Sequence, residues 1–217
     1  MTDMLVKYEN YLENFNKKLD EYFNSQKEFL KCKAGCSICC ENSYYPVSEF
    51  EYKYMKIGID KNFNAIQKES LNNKAVQIIK ERRKFTKINS NALDFFYECP
   101  FLINNSCSIY NYRGLICRLH GLIYKDEDNS NKMNAPYCIR MGYNYANVWD
   151  ENNKTFSDEK AKELGIKAKP EAYELSYSSA MKQADDIEFG DIRMLVEWIV
   201  MDIPDWQELI KEDKNVG

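Results

Sequence analysis

The sequence is short of the features on which many enzymes and nucleic-acid-binding proteins depend. Its 217 residues include a single histidine and only eight glycines, no two of which stand in a Gly-x-Gly spacing. Neither the dinucleotide-binding fingerprint nor a Walker phosphate loop can therefore be written anywhere. With 30 basic and 34 acidic residues, the chain also lacks the positive excess of a nucleic-acid-binding surface. We therefore expect neither a glycine-loop nucleotide enzyme nor a nucleic-acid partner.

Long apolar runs are missing as well. No segment approaches the roughly 18 consecutive apolar residues of a membrane span. The amino end, Met1-Thr2-Asp3-Met4, lacks the basic region and apolar run of a secretory signal. We therefore expect a cytoplasmic protein without a membrane partner. Hydrophobic residues make up 44% and aromatic residues 14% of the chain, which is enough for a packed core.

What the sequence does have is eight cysteines. In a reducing compartment, an even cysteine count favours metal ligation over disulfides, because cellular thiol systems keep ordinary cysteines reduced. Thiolates are soft donors that select zinc, iron–sulfur clusters or cuprous copper. The candidate metal ligands are Cys32, Cys36, Cys39, Cys40, Cys99, Cys107, Cys117 and Cys138.

The spacing divides these cysteines into a tight group and a dispersed one. The first four form the pattern Cys-x3-Cys-x2-Cys-Cys between residues 32 and 40. Core packing does not explain such clustering, whereas a loop that wraps several donors around one centre requires it. The last four are far apart in sequence, which leaves room for one of them to be an ordinary buried thiol.

The spacing Cys32-x3-Cys36-x2-Cys39 is also that of the radical S-adenosylmethionine signature. In that class the motif follows the first strand of a parallel barrel, whereas here it follows a long predicted helix. Cys40 adds a fourth adjacent thiol. The sequence therefore disfavours this interpretation.

Helical periodicity dominates the chain. Apolar residues recur at alternating steps of three and four from Leu5 to Phe29, which predicts one long helix with Thr2 as a cap and Gly35 as a stop. We expect this helix to lie across its own domain, with a coiled coil as the alternative. Further helices are predicted from a Ser48–Glu51 capping box through Ile57, within 61–88 from about Asn72-Asn73, from Phe189 to Ile203 before Pro204, and as a short turn around Trp206 to Ile210.

Two hairpins are predicted, one around Asn104-Asn105 and one around Asn152-Asn153. In the first, a two-residue loop would pair Leu102 with Cys107, and a three-residue loop would pair Ile103 with Cys107. The two-residue loop would send the Cys99 and Cys107 thiols to opposite faces, whereas the three-residue loop would pair Cys99 with Asn111 and place both thiols on one face. The sequence does not choose between the two registers.

These elements predict a mainly α fold. We expect a single helical domain with a small β-hairpin or irregular, cysteine-rich metal-binding core. Its parts would be an amphipathic helix over 1–31, the metal-binding region over 32–138, and a helical region of the same domain over 139–217.

Four motifs in a fixed order resemble those of a known family. They are Cys32-x3-Cys36-x2-Cys39-Cys40, Cys99-Pro100-Phe101-Leu102, Cys107-Ser108-Ile109-Tyr110 and Arg113-x3-Cys117-Arg118. Over about residues 32–138 the chain resembles the YkgJ-type cysteine-cluster family of zinc- or iron-chelating proteins. The family's usual proline after the arginine of the last motif is replaced by Gly114, which removes no donor. The resemblance implies metal binding.

The function expected is therefore that of a metal-binding protein holding zinc or an iron–sulfur cluster, with a structural or redox role. The same cysteine cluster occurs in flagellin lysine N-methylases, which are larger and use S-adenosylmethionine, so a protein lysine methylase is the first alternative. The chain is short for that class and has no recognisable glycine-rich methyl-donor loop. A module that binds a protein partner through the helical seam of residues 5–29 is the second alternative.

Charged residues close to the cysteines add one more clue. Cations lower thiol pKa values and offset the negative charge of a thiolate site, although lysine and arginine are also common surface residues. His120, close after Cys117, is either a substitute ligand or structural. Basic residues that lie within six positions of a cysteine include Lys31, Lys33, Arg113, Arg118, Lys132 and Arg140.

Overall fold

The protein is mainly α-helical, as the sequence predicts. The structure is a computed structural model that describes residues 2–42, 44–89, 91–127 and 132–211. No helix in these ranges has the length and apolar content needed to cross a bilayer. The helices are α1 (Thr2–Ser25), α2 (Ile38–Glu41), α3 (Glu49–Asn62), α4 (Ala65–Ile88), α5 (Leu115–Leu119), α6 (Asp158–Glu163), α7 (Tyr177–Lys182), α8 (Leu195–Met201) and α9 (Trp206–Leu209).

The strands are short and pair in antiparallel twos. Three pairs are hairpins between neighbours in the chain, and the fourth joins β1 to β8. The strands are β1 (Pro46–Ser48), β2 (Leu102–Ile103), β3 (Ser106–Cys107), β4 (Tyr124–Lys125), β5 (Met133–Asn134), β6 (Trp149–Asp150), β7 (Thr155–Phe156) and β8 (Ile192–Met194).

The chain forms two compact units. The first unit consists of Met1–Cys39 and Leu115–Glu188, and the second unit consists of Cys40–Gly114 and Phe189–Gly217. Each unit is therefore assembled from two separate segments. The boundary between Cys39 and Cys40 lies inside the short helix α2.

The long helix α1 of the first unit confirms the predicted amino-terminal helix. The seam residues Tyr8, Leu12, Phe15 and Leu19 are buried, so the seam packs inside the protein. The helix ends at Ser25, four residues before the end of the predicted seam and ten before Gly35, so the predicted stop at Gly35 is wrong. The Ser25 hydroxyl donates to the Tyr22 carbonyl at 2.9 Å, a local bond that competes with helix continuation.

The first unit has an aromatic and aliphatic core beneath its hairpins. Phe29 stacks on Tyr145, with ring centroids 5.7 Å apart, and Trp149 meets Phe156 edge to face. Trp149 pairs with Phe156 across β6 and β7, which confirms the predicted second hairpin. The buried residues of this cluster are Phe29, Ile123, Ile139, Tyr145, Val148 and Trp149.

In the second unit, reciprocal caps start two consecutive helices. Ser48 and Glu51 form the predicted capping box of α3. Asn64 and Gln67 form another at the start of α4, with the Asn64 side chain accepting from the Gln67 amide at 2.9 Å. The predicted start of this helix near Asn72-Asn73 was therefore wrong by two turns. The capping-box rule names serine and threonine first, but an asparagine oxygen satisfies the same orphan amides.

The strand β8 corrects a second prediction. The apolar pattern from Phe189 to Ile203 was interpreted as one helix, whereas Ile192–Met194 is a strand paired with β1 and the helix begins at Leu195. A buried strand and a helix turn cannot be told apart by periodicity over so few residues. The Trp198 indole donates to the Val47 carbonyl at 2.8 Å and links α8 to β1.

The hairpin of β2 and β3 adopts the two-residue loop. Leu102 pairs with Cys107, and both Asn104 and Asn105 have positive φ, at 50° and 59°. This is the backbone of a type I′ turn, which asparagine tolerates. The ladder begins only at Leu102, so the strand alternation does not reach back to Cys99.

Gly58 in α3 supplies a first stability prediction. A Cβ built at this glycine would lie 2.7 Å from the Cβ of Tyr112, which is fixed by its own backbone and cannot swing aside. Gly58→Ala should gain about 1 kcal/mol of helix propensity but lose about 1–3 kcal/mol to overpacking. We expect a lower free energy of unfolding in urea titration. A stabilised variant would show that Tyr112 can move away from the added methyl group.

Candidate metal centre

The first unit contains five of the eight cysteines, on three separate stretches of chain. Cys32 and Cys36 are exposed in the irregular segment before α2, and Cys39 lies in α2. Cys138 is buried in a 3-10 turn, Tyr137–Met141. All eight cysteines of the chain are thiols.

A tight turn presents the first two thiols. The Cys36 amide donates to the Lys33 carbonyl at 3.0 Å, and Gly35 between them has a φ of +84°. Glycine takes this left-handed conformation without steric cost. The turn reverses the direction of the chain between Lys33 and Cys36.

Cys39 and Cys138 are in direct contact although 99 positions separate them in the sequence. Their thiols share a hydrogen bond. This bond, together with burial and the charge of the Cys138 sulfur, raises the pKa of Cys39 above its ordinary value. Two sulfurs this close and this shielded disfavour a second negative charge unless a cation compensates for it.

The Cys32 sulfur is held by the side chain of Asn144. The Asn144 Nδ2 donates to Cys32 Sγ at 3.0 Å and to the Gly121 carbonyl at 2.9 Å. Burial raises the pKa of Cys32, and this hydrogen bond opposes the shift. The Cys32 residue as a whole is exposed, but its sulfur faces these packed groups.

Electrostatics connect Cys32 to the rest of the first group. The charges of Cys39 and Cys36 add to the upward shift of the Cys32 pKa. Cys32 is therefore close enough to Cys36 and to Cys39 for their charges to oppose its ionisation. Together with the contact between Cys39 and Cys138, this interaction relates four thiols of the first unit to one another.

The second unit contains Cys40, Cys99 and Cys107. The Cys99 amide donates to the Cys40 carbonyl at 2.6 Å, and the Cys99 carbonyl accepts from the Leu102 amide at 2.9 Å. Leu102 pairs with Cys107 in the hairpin. The backbone thus brings these three cysteine positions to one end of the β2–β3 hairpin.

Adjacent positions on one helical turn separate the thiols of Cys39 and Cys40. Consecutive residues of an α-helix point about 100° apart. In α2 the Cys39 thiol contacts Cys138 of the first unit, and the Cys40 carbonyl binds Cys99 of the second unit. The adjacent pair is therefore divided between the two units.

The remaining candidates lie on α5 and just after it. Cys117 is half-buried within α5 of the first unit, and His120 follows the end of that helix. The described residues of both units include no set of three His, Cys, Asp or Glu side chains already arranged as a coordination shell. A role for Cys117 or His120 as a ligand stays a prediction.

Several of the basic residues near the cysteines bind other groups. Lys31 Nζ donates to the Gly142 carbonyl at 2.9 Å, and Arg140 pairs with Glu151 at 3.5 Å. Arg118 donates to Asn16 at 3.0 Å. These cations brace the segments that carry Cys32, Cys117 and Cys138.

Asn144 and Gly121 are the residues of this region that sequence reasoning missed. Asparagine is abundant in the chain, and nothing in the local pattern sets Asn144 apart. A buried asparagine six positions after the last cysteine is recognisable only once the fold places it beside Cys32.

Comparison with known proteins agrees with the cysteine pattern. No curated protein and no solved structure shows significant similarity to the chain. Residues 31–139, just over half of the chain, match the model of the CxxCxxCC family, described as a "putative zinc- or iron-chelating domain". These residues contain all eight cysteines. The chain belongs to this CxxCxxCC family of zinc- or iron-chelating domains.

Proposed function

We propose that the protein holds zinc or iron through the thiolates of Cys32, Cys36, Cys39 and Cys138 in its first unit. The observation that carries this proposal is the contact of Cys39 with Cys138, combined with the charge interactions of Cys32 with Cys39 and with Cys36. Four thiolates match the ligand number of structural zinc sites and of cysteine-ligated iron–sulfur clusters.

The electrostatics of the four thiols support a resident cation. Without a metal, burial and mutual repulsion disfavour ionisation of Cys39 and Cys32. Zinc or iron replaces the protons, because a metal ligand must be deprotonated and the cation stabilises the thiolates. Closure of the irregular segment around Cys36 onto the metal would then complete the shell.

The metal's role is structural or electron-transferring, without turnover of a substrate. Structural zinc would add its binding free energy directly to folding, whereas an iron–sulfur cluster would supply redox chemistry. We favour the cluster, because the adjacent Cys39 and Cys40 do not form the paired knuckles typical of zinc ribbons. A cytoplasmic location follows from the same proposal, since a reducing compartment keeps eight thiols available.

Cys40, Cys99 and Cys107 form a candidate second set in the other unit. The hydrogen bond between the Cys40 carbonyl and the Cys99 amide brings these two residues together. The pairing of Leu102 with Cys107 in the hairpin places Cys107 near them. Cys117 remains a further candidate ligand. Eight thiolates suffice for two four-coordinate centres, so the metal content per chain is informative.

Elemental analysis and a visible spectrum of protein purified without oxygen test the function. We expect at least one tightly held zinc or iron per chain after desalting. Iron with equimolar acid-labile sulfide and a broad visible absorption would identify a cluster, and colourless zinc-loaded protein would identify a structural site. Protein with only trace amounts of both metals and eight titratable thiols would refute metal binding.

A further inference from the structure

We propose that Asn144 is the positioning residue that holds the Cys32 thiolate in place as a metal ligand. The role rests on the proposed function, because it presumes that Cys32 binds a metal. Asn144 is 1% exposed and lies in the first unit, six residues after Cys138. Its side-chain amide joins the start of the cysteine motif to the segments around Gly121 and Cys138.

Three hydrogen bonds fix the orientation of this amide. Its Oδ1 accepts from the Lys31 backbone amide at 2.7 Å, and its Nδ2 donates to the Gly121 carbonyl at 2.9 Å. A backbone amide can only donate and a carbonyl can only accept, so exchanging the amide oxygen and nitrogen would break both bonds. The second hydrogen of Nδ2 therefore points at Cys32 Sγ, 3.0 Å away.

This orientation makes the Cys32 sulfur a hydrogen-bond acceptor. A thiolate accepts such a bond more strongly than a neutral thiol does, because bonds to an ionised partner are the stronger ones. The amide donates without carrying a charge that would repel a metal cation. The arrangement thus suits the form of cysteine that binds metals.

Gly121 leaves room for the Cys32 sulfur because it has no side chain. A Cβ at this position would lie 2.9 Å from Cys32 Sγ and 3.2 Å from Asn144 Nδ2. Gly121 also has a φ of +108°, which side-chain-bearing residues rarely adopt. The sulfur is therefore confined between a glycine without room for a side chain and an amide with its donors aligned.

Residues that orient a metal ligand typically contribute 10- to 100-fold to metal affinity. Asn144→Asp tests this role because it conserves shape and the acceptor for Lys31 while removing the donor to Cys32. It also removes the donor to the Gly121 carbonyl, so the comparison with a Cys32→Ala background is needed to isolate the effect on the sulfur. We expect about a 10- to 100-fold loss of affinity for cobalt in chelator competition. The thiolate-to-cobalt charge-transfer band should also shift, a change that a purely structural defect would not cause.

Two further variants separate positioning from folding. Asn10→Asp makes the same charge change at an exposed position of α1 in the same unit, and it should leave affinity and band unchanged. In a Cys32→Ala background, Asn144→Asp should cause no further loss of affinity. If Asn144→Asp does not fold, Gly121→Ala gives the test, since its Cβ should displace the sulfur and weaken binding.

The outcomes are distinguishable. Wild-type protein that takes up no zinc, iron or cobalt overturns the proposed function and the role of Asn144 together. Wild-type protein that binds cobalt while Asn144→Asp, or in its place Gly121→Ala, retains wild-type affinity and spectrum overturns the role alone. An equal loss of affinity with and without Cys32 also overturns it, because the effect would then pass through the fold.

Discussion

Replacing Cys39 by serine should release the metal that we propose for the first unit, whereas replacing its neighbour Cys40 should leave that metal bound. Cys39 contacts Cys138 within the first unit, and the Cys40 carbonyl binds the Cys99 amide within the second unit. A serine oxygen is a harder donor than a cysteine sulfur, and a serine hydroxyl is a weaker acid than a cysteine thiol. Serine therefore does not replace cysteine in a zinc or iron shell.

The effect on stability should be large. Structural zinc sites contribute apparent binding free energies of about 10–16 kcal/mol at neutral pH, and this energy is coupled to folding. Loss of one ligand in four collapses most of it. Cys39→Ser should therefore lower and broaden the melting transition of metal-loaded protein. The same substitution should change the melting of metal-stripped protein much less.

Residue-resolved alkylation measures the outcome directly. Metal-bound thiolates resist alkylating reagents until a chelator removes the metal, and peptide mapping reports each cysteine separately. In Cys39→Ser, we expect Cys32, Cys36 and Cys138 to react without chelator. In Cys40→Ser, these three should stay protected until chelator is added.

Two results would contradict this division of the cysteines. If Cys40→Ser exposes Cys32 and Cys36 as fully as Cys39→Ser does, the adjacent pair serves one centre. If Cys39→Ser keeps its metal and its wild-type melting behaviour, Cys39 is not a ligand.

The elements that the sequence predicts well are those with complete local signals. The Ser48–Glu51 box starts α3, and paired asparagines with positive φ form the turn between β2 and β3. Each depends on contacts within a few residues, so the local sequence is sufficient to predict it.

The start of α4 escaped prediction although its Asn64–Gln67 box is local, whereas two other missed features depend on distant partners. The strand β8 exists because residues about 146 positions earlier supply β1, and no window of sequence contains both. The end of α1 is set in part by Ser25, whose hydroxyl lies 2.7 Å from that of Tyr173. The apolar periodicity predicts a longer helix, because a sequence pattern contains no information about the tertiary contacts near Ser25.

The candidate site divides in the same way. Cysteine spacing singles out the tight group as candidate donors, since chemistry and spacing both act locally. The spacing does not reveal that the Cys138 thiol contacts the Cys39 thiol. Nor does it reveal that the Cys40 carbonyl accepts a hydrogen bond from the Cys99 amide. The position of Asn144 could not be predicted from the sequence, because it depends on three hydrogen bonds to residues that are distant in the chain.

Phe101 should be the residue whose truncation most disturbs the cysteine hairpin of the second unit. It is 1% exposed, lies between Cys99 and Cys107 in sequence, and meets Phe63 edge to face at 6.2 Å. Truncating a buried phenylalanine to alanine costs about 3–5 kcal/mol, because it loses apolar burial and leaves a cavity. For a chain of this size, we expect the melting temperature to fall by about 6–20 °C.

A substitution two residues further along, in β2, controls for the loss of an apolar side chain from this segment. Ile103 is 38% exposed, so Ile103→Ala should remove little buried area and cost about 0.5 kcal/mol or less. In metal-stripped protein, Cys99 should be alkylated faster in Phe101→Ala than in Ile103→Ala, because the buried thiol becomes reachable when the hairpin opens. Equal melting temperatures and equal alkylation rates for the two variants would show that Phe101 does not anchor the hairpin.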